Sequence, residues 1–200
     1  MSPLEAQRAL NFFATVGKLK TLKRTGWVDN GVSLPESVAD HMYRMTMLSF
    51  ALSDPSLNKD RLIKIALCHD LAESIAGDIT PTENSGVSKE EKRRLEENAL
   101  DMIINDLKND ALGNEIRSLW MEYEERSTPE AVVASQLDKF EMIVQADEYE
   151  KQHAKDGKRL DSFFDYTAGY FTHPEIKAWD TLLRETRNSR LKSTINTNDT

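Results

Sequence analysis

Apolar residues recur at three- and four-residue intervals in segment after segment of this chain, and nowhere do they alternate long enough to build a strand. That pattern confines the fold to packed helices. With 39% hydrophobic content, the 200 residues can bury one sizeable core, so an all-α single domain is expected. Ser2-Pro3 opens a helix over 3–20 whose apolar face is Leu4, Leu10, Phe13, Val16 and Leu19. Gly26, Gly31 and Pro35 make 20–35 an ordered connector, anchored by Trp27 and Val28. Ser37 caps a second helix in which Val38, Met42, Met45, Leu48 and Leu52 recur until Ser53-Asp54-Pro55. A third runs from about Lys59 to Ile75, and Gly77 ends it. Ser88 and Glu91 match a capping box for a helix to about Leu107 with apolar positions Leu95, Ala99, Met102 and Ile103, its charge run reading as a solvated face. Helices near 111–126, 129–152, 160–170 and 174–191 follow, and the polar residues 193–200 read as a disordered tail.

The formal charge of −8 argues against nucleic-acid polymers as partners, because gripping a phosphate backbone takes clustered Lys and Arg. A small anionic substrate stays open, since a bound cation can reverse the local field. Cys68 is the single cysteine, which leaves no intrachain disulfide and no thiolate metal framework. It reads as a small buried hydrophobe. No run of 18 apolar residues and no basic-then-apolar leader is present, so a soluble, unsecreted protein without a membrane partner is expected.

Against that apolar background, His41 and His69 lie inside helix-patterned segments, where an unpartnered ring is costly to bury. Asp70 follows His69 directly, and Asp138 falls between Leu137 and Phe140 in another helix. Buried carboxylates are rarer than buried histidines unless they are paired or bind metal. Two imidazoles and two carboxylates form a nitrogen and oxygen donor set, suited to manganese, iron, cobalt, magnesium or nickel more than to structural zinc. Glu73 lies four residues after His69, hence on the same face of the expected helix, and Asp78 stands just past the Gly77 turn.

The order His41, His69-Asp70, Asp138 resembles the HD superfamily of phosphohydrolases. The surrounding segments are more specific: Arg24-Thr25-Gly26-Trp27, Pro35-Glu36-Ser37-Val38-Ala39-Asp40-His41, His69-Asp70-Leu71-Ala72-Glu73, Gly77-Asp78-Ile79 and Gln136-Leu137-Asp138-Lys139. Together they are similar to the HD-domain 5′-deoxynucleotidases, in particular to their eukaryotic branch. The likeness extends over about 10–185, including Tyr166-Thr167-Ala168-Gly169 and His173-Pro174-Glu175. It implies an HD-domain helical bundle over 1–192 and a cytoplasmic homodimer, with nuclear residence also open. It also implies hydrolysis of deoxyribonucleoside 5′-monophosphates with a divalent metal, whether manganese, cobalt or magnesium. Other reactions of the superfamily, on cyclic nucleotides or deoxynucleoside triphosphates, remain alternatives, as does a metal-containing module without turnover.

By this resemblance His41, His69, Asp70 and Asp138 hold the metal. Arg24 clamps phosphate, a task its forked guanidinium suits. Glu73 and Asp78 assist proton transfer or hold a second cation; alternatively, Glu73 orients His69 and Asp78 caps the turn at Thr80-Pro81. In bacterial members the arginine is followed at once by tryptophan, whereas here Thr25 and Gly26 intervene. Trp27 is therefore either a stacking surface for the substrate or a loop anchor. Glu36 and Ser37 are further candidates for the substrate pocket, though helix capping explains Ser37 equally well.

Overall fold

A helix begins where a side chain satisfies the free amides of its first turn. In this computed structural model, which describes residues 2–80, 86–154 and 157–198, ten α-helices follow one another among the described residues. They are α1 (Pro3–Gly17), α2 (Thr25–Asp29), α3 (Val38–Ala51), α4 (Lys59–Cys68), α5 (Glu73–Ala76), α6 (Lys89–Leu107), α7 (Asp110–Glu125), α8 (Pro129–Gln152), α9 (Asp161–Tyr166) and α10 (Pro174–Asn198). Side chains of Ser2, Ser37, Asn58, Ser88 and Asn109 cap α1, α3, α4, α6 and α7. No strand occurs among the described residues; Lys23 and Ser37 form an isolated antiparallel bridge.

Several expected details change. The connector carries a helix, α2, and the third predicted helix breaks at Cys68, resuming only at Glu73. Between them Leu71, Glu73, Ser74 and Ile75 donate to carbonyls three residues back, which tightens the chain out of α geometry. The expected face of α1 is also wrong in part: Leu4, Leu10 and Phe13 are exposed, while Phe12 and Val16 pack inward with Leu19. Ser88 caps α6, but the Glu91 carboxylate turns to Arg94 instead of closing a capping box. Leu100 rather than Met102 lies on the buried side of that helix. Helix α9 stops at Tyr166, and α10 continues to Asn198, so helical backbone enters the stretch 193–200 expected to be irregular. Residues 199 and 200 lie outside the described residues.

Two compact units are distinguished, Met1–Val132 and Val133–Thr200. The first holds a core of Leu19, Val38, Met42, Leu71, Ala72, Ala99, Leu100, Ile103, Ile116 and Trp120. Val38 is three residues before His41, and Leu71 directly follows Asp70, so this core fixes the backbone on which both stand. Gly113 lets α7 approach α6 closely, since a Cβ there would lie 2.7 Å from Ile104 Cγ2. In the second unit Phe140 packs against Phe171 and Trp179. Arg187, 6% exposed, bonds Glu150 and Asp161 and lies 3.9 Å over the Phe164 ring.

Candidate metal centre

The Ser37 cap sets the first turn of α3 and places His41 one turn in, wholly buried. The Ser37 hydroxyl accepts from the Asp40 amide and donates to its carboxylate at 2.7 Å, which identifies it as a capping group. At the end of α4, His69 is 3% exposed and its Nδ1 lies 3.0 Å from the Ala66 carbonyl. A carbonyl oxygen only accepts, so Nδ1 carries a proton and Nε2 is the ring nitrogen left to face the site.

That nitrogen faces Asp70: His69 Nε2 is 3.0 Å from Asp70 Oδ2, and His41 Nε2 is 3.8 Å from the same oxygen. The His69 Nε2 atom makes no hydrogen bond among the described residues. A ring nitrogen 3.0 Å from a carboxylate oxygen calls for a positive charge between them, supplied by a proton or by a bound cation. One ligand atom from each of His41, His69 and Asp70 falls within 4.8 Å of the others, a spacing that one cation can span. Arg24 Nη1, at 3.4 Å, also approaches Asp70 Oδ2. Burial alone would raise the Asp70 carboxyl, but His69, Arg24 and His41 hold it well below the usual carboxylate range.

Glu73 starts α5 and is 2% exposed, with Oε2 buried and without a hydrogen-bond partner among the described residues. Because the chain breaks between His69 and Glu73, the helical i,i+4 relation expected for them does not apply. Burial, then the charges of Asp70 and Asp78, push its carboxyl well above the usual range, against Lys92 and Arg24. The Asp78 carboxylate accepts from the Thr25 amide at 2.6 Å, and its carbonyl accepts from the Thr25 hydroxyl at 2.6 Å. It thus caps α2, whose own N-cap residue, Arg24, offers no side-chain bond. The alternative cap at Thr80-Pro81 involves Pro81, outside the described residues.

Trp27 is 1% exposed and its indole N–H donates to Glu36 Oε1 at 2.9 Å. That buried ring and its bond hold the loop against Glu36. Glu36 also accepts from the Arg24 amide through its carbonyl. Asp138 lies on α8 in the second unit, 6% exposed, and its Oδ2 is 3.0 Å from Lys139 Nζ. Burial pushes the Cys68 thiol up to about 11, which keeps it protonated and unreactive.

Sequence reasoning missed Lys92, Glu96 and Tyr123. Lys92 Nζ lies 3.8 Å from Glu73 Oε1 and 3.3 Å from Glu96 Oε1, and the Tyr123 ring stands 4.9 Å from that of His69. Glu96, 5% exposed, is pushed up to about 7, first by its burial. A signal was present: positions 92, 96, 99, 100 and 103 share one helical stripe, whose apolar members are Ala99, Leu100 and Ile103.

Residues 16–178 match the family model described as HD domain, a stretch that runs through both units. The chain is 52% identical over 179 residues to a Dictyostelium discoideum protein named 5′-deoxynucleotidase HDDC2, covering 84% of this chain and 93% of that one. A human protein of the same name is 51% identical over 171 residues, covering 86% and 82%. Among solved structures, the PH0347 protein from Pyrococcus horikoshii superposes with a TM-score of 0.71 at 29% identity, covering 90% of this chain and 98% of that one.

Proposed function

This chain belongs to the HD-domain family, and from that premise we infer that it is a metal-dependent 5′-deoxynucleotidase, cleaving deoxyribonucleoside 5′-monophosphates to deoxyribonucleoside and phosphate. The observation that carries this reading is the buried cluster of His41, His69 and Asp70, whose ligand atoms lie within 4.8 Å of one another. Such a donor set fits a hard or borderline divalent cation, and manganese, cobalt or magnesium is our assignment. His41, His69 and Asp70 would hold it. Asp138 is our fourth ligand, a buried carboxylate of the second unit in the segment that resembles the family's last motif. When bound, the cation supplies polarisation of a phosphoryl oxygen and acidification of water toward neutral pH.

The chain's own groups do the rest. Arg24 directs its guanidinium to the same edge of the site as Asp70, where it would neutralise the nonbridging phosphate oxygens. Asp78, by holding Thr25, fixes the loop that carries Arg24. As the water oxygen bonds to phosphorus and the bond from phosphorus to the 5′-oxygen breaks, the leaving alkoxide needs a proton. Glu73 Oε2 is the group we assign to that transfer. A second cation, if taken up, would be held by Glu73 and Asp78. Trp27, Glu36 and Ser37 serve the substrate indirectly, by fixing the Arg24 loop and the His41 helix. No described helix is long and apolar enough to cross a membrane. Residence in the cytoplasm, with access to the nucleus, and a homodimeric state are proposed from the resemblance of the motifs.

The test is phosphate release by manganese-loaded protein from matched deoxy- and ribonucleoside 5′-monophosphates, beside cyclic nucleotides and deoxynucleoside triphosphates. Deoxymonophosphates should be cleaved fastest. Glu73→Ala should lower kcat on the order of 10²–10⁴-fold, as expected for loss of a general acid. Asp138→Ala should weaken metal retention. Equal rates on cyclic nucleotides would move the assignment to another reaction of the superfamily, and no turnover of any of them, with metal bound, to a binding module.

A further inference from the structure

Glu73 is held from behind by a residue of a different helix. Lys92, half-buried on α6, brings its ammonium to 3.8 Å from Glu73 Oε1, and Glu96, one turn later on the same helix, lies 3.3 Å from that ammonium. Both carboxylates are buried, Glu73 at 2% and Glu96 at 5% exposure, so solvent does little to orient either. The other oxygen of Glu73, Oε2, has no hydrogen-bond partner among the described residues. A carboxylate engaged by a cation at one oxygen and bare at the other is oriented as well as compensated. Asp70, Glu73 and Asp78 crowd three acidic groups into nine residues of chain, and the Lys92 ammonium offsets part of that crowding at Glu73.

We propose that Lys92, braced by Glu96, is a positioning residue that fixes Glu73 through Oε1 and thereby presents Oε2 to the reacting phosphate ester. The proposal rests on the assignment of Glu73 to the hydrolysis. Lys92 touches neither substrate nor the ligands His41, His69 and Asp70 in this role; its whole effect passes through one carboxylate. Three consequences follow: the effect vanishes when Glu73 is neutralised, falls on kcat rather than KM, and is rescued by another cation of similar reach.

The experiment uses the full chain loaded with Mn²⁺ and compares Lys92→Met, Lys92→Arg, Glu96→Gln, Glu73→Gln and the Lys92→Met/Glu73→Gln double variant. Lys92→Met should lower kcat for a deoxynucleoside monophosphate roughly 10–100-fold, the usual range for a residue that orients a metal-site group, with KM little changed. Lys92→Arg should recover most of the rate. Glu96→Gln, the milder change, should show the same kcat-selective loss at smaller amplitude. On the Glu73→Gln background Lys92→Met should add nothing. Calorimetric titration with Mn²⁺, without substrate, reads the coupling independently of turnover: because Glu73 and Asp78 are assigned the second cation, Lys92→Met should shift the affinity of that weaker site in the native background and not beside Glu73→Gln. Additive losses, an effect on KM alone, or identical Mn²⁺ binding in every variant would overturn the role of Lys92 while native activity stands. An inactive, metal-loaded native chain would instead overturn the functional assignment beneath it.

Discussion

Thr25 is tied to Asp78 by two hydrogen bonds, amide to carboxylate and hydroxyl to carbonyl, both at 2.6 Å. Thr25→Val removes only the second and should cost about 0.5–1.5 kcal/mol in denaturant unfolding; because the loop also carries Arg24, KM for the monophosphate should rise with it. An unchanged KM would separate the tether from the phosphate site. Trp27→Phe removes the N–H bond to Glu36 but keeps an aromatic ring in the space. It should lower the thermal midpoint while leaving the preference among bases unchanged, whereas altered base preference in a substrate panel would restore the stacking role. At this scale the buried cluster of His41, His69 and Asp70 was legible, because ionisable residues set among apolar helix positions have few reasons to be there. The role of Trp27 was not: in a loop no periodicity says which way a ring turns, and its choice depends on where Glu36 lies after a bend.

Helix α3 delivers His41 from its first turn, so its cap carries function as well as stability. Ser37→Ala should cost about 1 kcal/mol, the usual value for losing a hydroxyl cap, and should weaken metal binding in calorimetry more than a cap change on α7, such as Asn109→Ala. Gly113→Ala would place a Cβ 2.7 Å from Ile104 Cγ2, and the forced separation of α6 and α7 should cost about 1–3 kcal/mol. Ile104→Ala should relieve part of it in a double-mutant unfolding cycle; strict additivity would contradict the clash. Caps at Ser2, Ser37 and Ser88 could be read because a hydroxyl before an apolar period is a local signal. The break after Cys68 could not. Leu71, Ala72 and Glu73 are good helix formers, with no glycine or proline until Gly77, so the departure from α geometry is a tertiary demand. The same limit hid Lys92 and Glu96, which sit on the buried stripe of a helix whose charge density reads as solvated.

The second unit carries a buried charge network, Arg187 with Glu150 and Asp161, beside its aromatic cluster. Burial alone would raise the Glu150 carboxyl, but Arg187 and the Leu160 amide hold it below its ordinary value, and Asp161 is lowered by Arg159 and Arg187 despite burial. A carboxylate depressed in the folded state contributes stability above its unfolded pKa and loses that contribution as pH falls through the folded value. Glu150→Gln should therefore destabilise most near neutral pH, and its gap from the native protein in urea titrations should close through the acid carboxylate range. A pH-independent gap would assign the loss to packing. For the molecule as a whole the all-helical class was legible from period alone, and the family from segments that lie in both units. The division into units was not, because α8 runs from one into the other without a break in its pattern. The central claim is that His41, His69 and Asp70 converge on a cation without which no phosphate ester is cleaved. It is tested most directly by stripping the protein with chelator, counting residual metal by mass spectrometry, and following phosphate release from a deoxynucleoside 5′-monophosphate as Mn²⁺ is returned. The rate should be absent in the stripped protein and rise with bound metal to a plateau, with no such rise in His69→Ala. Full activity in a chain that carries no metal would contradict it.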